Sequence, residues 1–197
     1  MGRVSGEGDR LIRDLATVGV RVRSVYDLVN TSEPYPAAIP VLVSLLKEGV
    51  QDDRVAEGIV RALGVKEARG VAARPLLDAF RQAPSDRWSY KWAIGNSLLV
   101  AADKSVVDDI IRLVGDKSHG RSREMLVITL GRFRSPQTTQ VLIDLLDDPE
   151  VAAHAARALG RHRAHEARPA LTRVAEGGAT PLVRREATSA LRKLTAE

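Results

Sequence analysis

The feature that most constrains this chain is that it repeats itself. LGVKEARGVAARPLLDAF, from Leu63, and LGRHRAHEARPALTRVAE, from Leu159, follow one plan: Leu-Gly, a basic turn, Ala-Arg, a proline and an apolar run. LGRFRSPQTTQVLIDLL, from Leu130, is a third copy. Leu63, Leu98, Leu130, Leu159 and Leu191 hold equivalent places, 29 to 35 residues apart. A period of that length with two helices per unit marks a stacked helical array, whose units bury their apolar faces against one another. The expectation is an all-α chain, an α-solenoid of about six helix pairs.

Helices are expected over about 9–18, 22–30, 37–48, 52–64, 71–82, 86–101, 105–115, 120–132, 136–147, 149–160, 166–176 and 181–194, each with apolar residues at helical spacing. Val41, Leu42, Leu45 and Leu46 are one such set, and Val141, Leu142, Leu145 and Leu146 another. Ser135-Pro136, Asp148-Pro149 and Thr180-Pro181 each place a capping side chain before a proline, which has no N–H to leave unbonded at the first helical position. Ser105 with Asp108 has capping-box spacing. Gly64, Gly131 and Gly160 follow the last leucine of their helices, where a left-handed residue is expected. No segment alternates with period two, so no strand is expected. No linker or low-complexity stretch divides the chain. It reads as a single array over 1–197, with 1–8 a frayed end and 9–35 an atypical first helix pair.

Composition narrows the rest. The chain has 197 residues, 44% hydrophobic, enough for a sizeable core. It has no cysteine, which excludes disulfides and thiolate metal sites and suggests a reducing, cytoplasmic home. No apolar run approaches the roughly 20 residues of a membrane helix, and the N-terminus does not look like a signal peptide. The net charge of +5 lies wholly in residues 117–197, since residues 1–116 carry equal numbers of acids and bases.

The run VLIDLLDDPEVAAHAARALGRHRAHEARPAL resembles the short bacterial HEAT-like repeats known as phycobilin-lyase-type HEAT repeats. The likeness rests on Ala62-Leu63-Gly64 and Ala158-Leu159-Gly160 at the ends of second helices, and on Pro40, Pro75 and Pro169 in first helices. It covers roughly 37–195 and is strongest over 126–195, whereas DRWSYKWAIGNSLLVAAD at 86–103 departs from it. The resemblance implies a fold and a habit of binding. It implies no activity, because function resides in sites rather than folds.

Trp88, Tyr90 and Trp92 stand within five residues in a chain with only 4% aromatics. On a helix Trp88 and Trp92 share a face. Tyr90 falls with Ile94 and Leu98 on the core side, so Trp92 points away, toward Asn96. In a HEAT array the second helices line the concave surface, where an indole can anchor a peptide or stack on a base. The alternative is that both indoles cover a neighbouring repeat. A basic stripe is expected across the second helices: Arg54, Arg61, Lys91, Arg121, Arg123, Arg157, Arg184 and Arg185. Interleaved Glu57, Glu124, Glu150 and Glu186 make a solvated, charge-paired face the competing reading.

His119, His154, His162 and His165 lack the ligand spacing of a metal site, so no metal is expected. The turn Arg161-His162-Arg163 reads as a small anion contact or a solvated loop. Asp52-Asp53, Asp108-Asp109 and Asp147-Asp148 diverge as neighbours on a helix, and those preceding helices read as caps. Glycine-rich phosphate loops, G-x-S-x-G and His-Glu-x-x-His are all absent.

The expectation is therefore a non-catalytic, monomeric scaffold with no cofactor, no metal and no membrane partner. It would hold a protein or peptide on the concave surface through Trp88, Trp92, Asn96, Arg54, Arg61, Arg121, Arg123, Arg157 and Arg185. A nucleic-acid-binding HEAT protein, glycosylase-like, with Asp86 the carboxylate nearest Trp88, is the alternative. A bilin-lyase role has no support beyond the repeats.

Overall fold

The computed structural model describes residues 6–177 and 179–195. Residues 1–5 of the expected frayed end lie outside these. Among the described residues the regular structure is wholly helical, twelve α-helices with short 3₁₀ turns and no strand. The chain divides into two compact units, one up to Asp103 and one from Lys104.

The first unit holds α1 (Glu7–Thr17), α2 (Val25–Val29), α3 (Ala38–Glu48), α4 (Asp53–Ala62), α5 (Ala73–Gln82) and α6 (Trp88–Ala101). α3 packs on α4 and α5 on α6; α1, α3 and α5 follow one another in one layer, and α2, α4 and α6 in a second. The second unit holds α7 (Val107–Gly115), α8 (Glu124–Leu130), α9 (Pro136–Asp144), α10 (Ala152–His162), α11 (Arg168–Glu176) and α12 (Pro181–Thr195). Here α7 pairs with α8, α9 with α10 and α11 with α12, while α8, α10 and α12 pack in succession. Leu63, Leu98, Leu130 and Leu159 are fully buried. Each such leucine contributes about 1.5–3 kcal/mol of burial.

The glycines after these leucines act otherwise than as left-handed caps. Among the described residues the positive-φ glycines are Gly19, Gly49, Gly70 and Gly120, and the left-handed residue closing α10 is Arg163. Gly64, Gly131 and Gly160 instead let successive second helices approach. A Cβ on Gly64 would meet Ser97 Oγ at 3.1 Å, one on Gly131 would meet Ala158 Cβ at 2.6 Å, and one on Gly160 would meet Ala190 Cα at 2.8 Å. In each case the glycine following one repeat leucine lies against the residue preceding the next. The repeat period is thus a packing register between parallel second helices.

A second device recurs at the helix ends. The last carbonyls of a helix have no partner within it. In four of the pairs a side chain from the loop before the pair, or from the first residue of its first helix, supplies one. Tyr35 OH donates to Ala62 O at 2.8 Å, Arg69 Nε to Val100 O at 2.9 Å, Arg134 Nη2 to Arg161 O at 3.2 Å and Arg168 Nη2 to Leu194 O at 3.4 Å.

Helix starts follow the sequence in part. Ser135 and Thr138 form a reciprocal capping box, the Asp52 carboxylate accepts from the Arg54 and Val55 N–H groups, and Thr180 Oγ1 accepts from Val183 N–H. Pro40, Pro75 and Pro169 sit in first turns, where proline is tolerated. Three expectations are corrected. Glu7 already belongs to α1 and accepts from the Gln51 and Asp52 N–H groups, so the end is fixed from there on. α7 is entered through a 3₁₀ turn at Lys104–Val106, with Val106 rather than Ser105 at the cap. Asp148 serves the turn before α10 rather than its first helical residue, because α10 begins only at Ala152.

Candidate functional site

α6 carries the aromatic cluster. Its 3.6-residue period separates the three rings: Tyr90 is buried, while Trp88 is 64% exposed and Trp92 37% exposed. These are the exposed ones among the aromatic side chains of the chain. Asn96, one turn further on, donates its amide to Trp92 O at 3.0 Å and so faces the same side.

Arg87, immediately before the helix, holds this end in place. Its guanidinium lies 4.4 Å from the centre of the Tyr90 ring and pairs with Asp53 at 2.6 Å. Burial raises the Tyr90 hydroxyl above its ordinary pKa; the Arg87 charge opposes the shift and Asp53 adds to it. Beside Arg87 and Tyr90 opens a cleft of about 220 Å³, walled by Leu46, Val50, Ile59 and Pro84. It is smaller than a typical small-molecule pocket of about 300–1,000 Å³. Lys91, expected on the basic stripe, is buried with Nζ 5.1 Å from the Phe80 ring centre.

The remaining stripe arginines divide between the units and are largely engaged. Arg54 stacks on Tyr26 at 5.6 Å, and Tyr26 OH donates to Arg54 O. Arg61 pairs with Glu57 at 2.7 Å. In the second unit Arg121 pairs with Glu124 at 3.2 Å, and Arg157 and Arg185 share Glu186 at 3.3 and 3.4 Å. Burial of Glu186 opposes its charge, yet Arg157 and Arg185 together hold it below the ordinary glutamate range. The acids noted in the sequence thus neutralise the face they interrupt.

Arg123 is not a surface residue, which corrects its place among the partner-binding side chains. It is fully buried. Its guanidinium donates to Gly120 O at 2.9 Å, Val114 O at 3.0 Å, Asp148 at 2.8 Å and Glu150 at 3.0 Å. Burial opposes the Asp148 charge, but bonds from Arg123 and the Glu150 N–H outweigh it and hold the group below the carboxylate range. This knot also explains why α8 starts at Glu124 and not near 120. Gly120 at φ 51 breaks the helix so that Arg123 can turn inward. The sequence signal was Asp148-Pro149-Glu150, readable as a cap but not as an arginine receptor.

The histidines are dispersed. His162, expected in a turn, closes α10 and is buried with both ring nitrogens unbonded; His154 Nδ1 is also buried and unbonded. Burial lowers both pKa values. Among the described residues no group of three or more His, Asp or Glu is placed to hold a metal ion, and no helix is long and apolar enough to cross a membrane. No protein-family model matches the chain and no curated protein matches its sequence.

Proposed function

We propose that this chain is an α-solenoid of HEAT-like helix pairs and a non-catalytic interaction module, holding a protein or peptide segment at the face of α6. The observation that carries the reading is the pair of tryptophans one helical turn apart, turned outward at 64% and 37% exposure while Tyr90 between them is buried. Tryptophan is the side chain most enriched at binding hot spots, because one rigid ring supplies a large apolar area and an N–H donor. Asn96 adds a polar contact at the edge, and the cleft beside Arg87 and Tyr90 accepts a further side chain. Nucleic-acid binding along the helical faces is the weaker reading. Arg61, Arg121, Arg157 and Arg185 meet carboxylates of their own chain, and Arg123 is withdrawn inside.

Because Trp88 and Trp92 are the only tryptophans, intrinsic fluorescence reports on this face alone. Peptides selected from a displayed library against the intact protein should shift the emission to the blue and bind at least about tenfold more weakly to Trp88→Ala/Trp92→Ala, the effect of losing one hot-spot contact. If no peptide is enriched, or enriched peptides bind both proteins alike, the proposal fails.

A further inference from the structure

Much of the basic excess of the C-terminal part gathers at the ends of the second helices. Arg134 stands in the loop after α8, Arg161 and Arg163 at the end of α10 and directly after it, and Arg168 at the start of α11. Arg192 and Lys193 occupy the last turn of α12. All six are exposed. None of them forms an ion pair among the described residues, in contrast with Arg121, Arg157 and Arg173 of the same unit. Glu166 is the one carboxylate in these two loops.

The packing brings them to a single edge. Gly131 lies against Ala158 and Gly160 against Ala190, which sets the ends of α8, α10 and α12 side by side. The bonds from Arg134 to Arg161 O and from Arg168 to Leu194 O join the loop after α8 to the end of α10 and the start of α11 to the end of α12. Lys193 Cδ lies 3.5 Å from where a Cβ on Gly160 would sit, placing its side chain beside Arg161. Arg134 and Arg168 are held by the backbone, so part of the ridge is pre-organised.

We infer that this ridge binds the phosphate backbone of a nucleic-acid duplex without regard to sequence. Three helices about 8–10 Å apart give a ridge about 20 Å long. Over that length a duplex presents roughly a dozen phosphates, one charge per about 1.7 Å. Arginine forks match phosphate oxygens in pairs. The ridge has no exposed aromatic on which single-stranded bases would stack, since Phe133 is only half-exposed and lies beside Arg132. It also lacks an exposed large apolar residue to form the dry centre of a protein interface. The inference is independent of the tryptophan face.

The test is fluorescence anisotropy with a labelled duplex of about 20 base pairs, titrated between about 50 and 200 mM salt. Binding should weaken with a log–log slope of about −3 to −5, as four or five neutralised phosphates require, and should be alike for unrelated sequences. The ridge variant Arg161→Glu/Arg192→Glu/Lys193→Glu should lose at least about tenfold. The variant Arg21→Glu/Lys47→Glu/Lys66→Glu has the same change in net charge on exposed first-unit residues and should lose less than about threefold. Trp88→Ala/Trp92→Ala should bind the duplex as the parent does. Should circular dichroism show the reversed ridge variant unfolded, Arg161→Gln/Arg192→Gln/Lys193→Gln takes its place, with a loss of at least about threefold expected. No duplex binding at about 50 mM salt would overturn the inference, as would equal losses in the two charge-reversal variants. Polyglutamate binding as tightly as the duplex would also overturn it and assign the ridge to an acidic protein.

Discussion

The Arg123 guanidinium and the Asp148 carboxylate meet at 2.8 Å with 1% and 7% of their side chains exposed, joining the turn before α8 to the turn before α10. Removing one member of a buried pair leaves the other charged and unsolvated, which typically costs about 3–5 kcal/mol. Arg123→Ala should therefore lower the stability of the second unit by about that amount in chemical denaturation, because Val114 O and Gly120 O lose their donor as well. Arg121→Ala, two residues away and exposed beside Glu124, should change it by less than about 1 kcal/mol. Similar effects for the two would show that Arg123 is not the anchor of this turn.

Gly160 tests the packing register. In a helix, glycine to alanine ordinarily stabilises by about 0.4–1 kcal/mol. At Gly160 the added methyl would meet the Ala190 backbone at 2.8 Å, and at Gly131 it would meet Ala158 Cβ at 2.6 Å. Overpacking of this kind costs about 1–3 kcal/mol and should win. Gly160→Ala and Gly131→Ala should lower the denaturation midpoint. Gly115→Ala, with open space around it, should leave it unchanged or raise it. A stabilising Gly160→Ala would mean that α10 and α12 are not in close contact there.

Trp92 and Tyr90 should separate cleanly. Tyr90→Ala removes a buried ring on which Arg87 rests and should cost about 3–5 kcal/mol. Trp92→Ala removes a ring 37% exposed and should cost about 1 kcal/mol or less. Urea denaturation of the two variants measures the difference directly. If Trp92→Ala is the more damaging, the indole is holding the fold and is not available to a partner.

Acid should loosen the second unit. Burial lowers the His162 and His154 pKa values below 6.5. The fold therefore prefers the neutral rings, and the unfolded chain takes up protons first. The stability this contributes is present above about pH 6.5 and is lost as pH falls through the lowered values. Around His162 stand Arg134, which opposes protonation, and Glu166, which favours it. Around His154 stand Glu124 and Glu186 against Arg157 and Arg121. Asp148, held below its ordinary 3.8, adds stability that is lost only at lower pH still. The urea midpoint should fall between pH 7.5 and 5.5, and His154→Leu/His162→Leu should flatten that fall. An unchanged slope in the double variant would exclude the histidines as its cause.

The helices themselves were legible in the sequence because their information is local. Apolar spacing, Ser135-Pro136, Asp52 and Thr180-Pro181 act within a turn or two of where they stand, and the structure places a helix in each expected segment. The orientation of Tyr90 and Trp92 was legible for the same reason, since a 3.6-residue period fixes which ring faces the core. The repeat leucines also announced a packing register.

What the register was for came from tertiary structure alone. Gly64, Gly131 and Gly160 look like left-handed caps until the next helix is seen against them, because a close approach and a positive φ both select glycine. Arg123 is indistinguishable in sequence from Arg121, and only the arrival of Asp148 and Glu150 from 25 and 27 residues away turned one inward and left the other in solvent. The six cations of the basic ridge are likewise scattered between Arg134 and Lys193. They come together because Arg134 and Arg168 hydrogen-bond to the ends of the second helices that follow them. Local sequence determined where this chain coils. The partners that arrive from later helices decided which of its charges are neutralised and which stay in solvent.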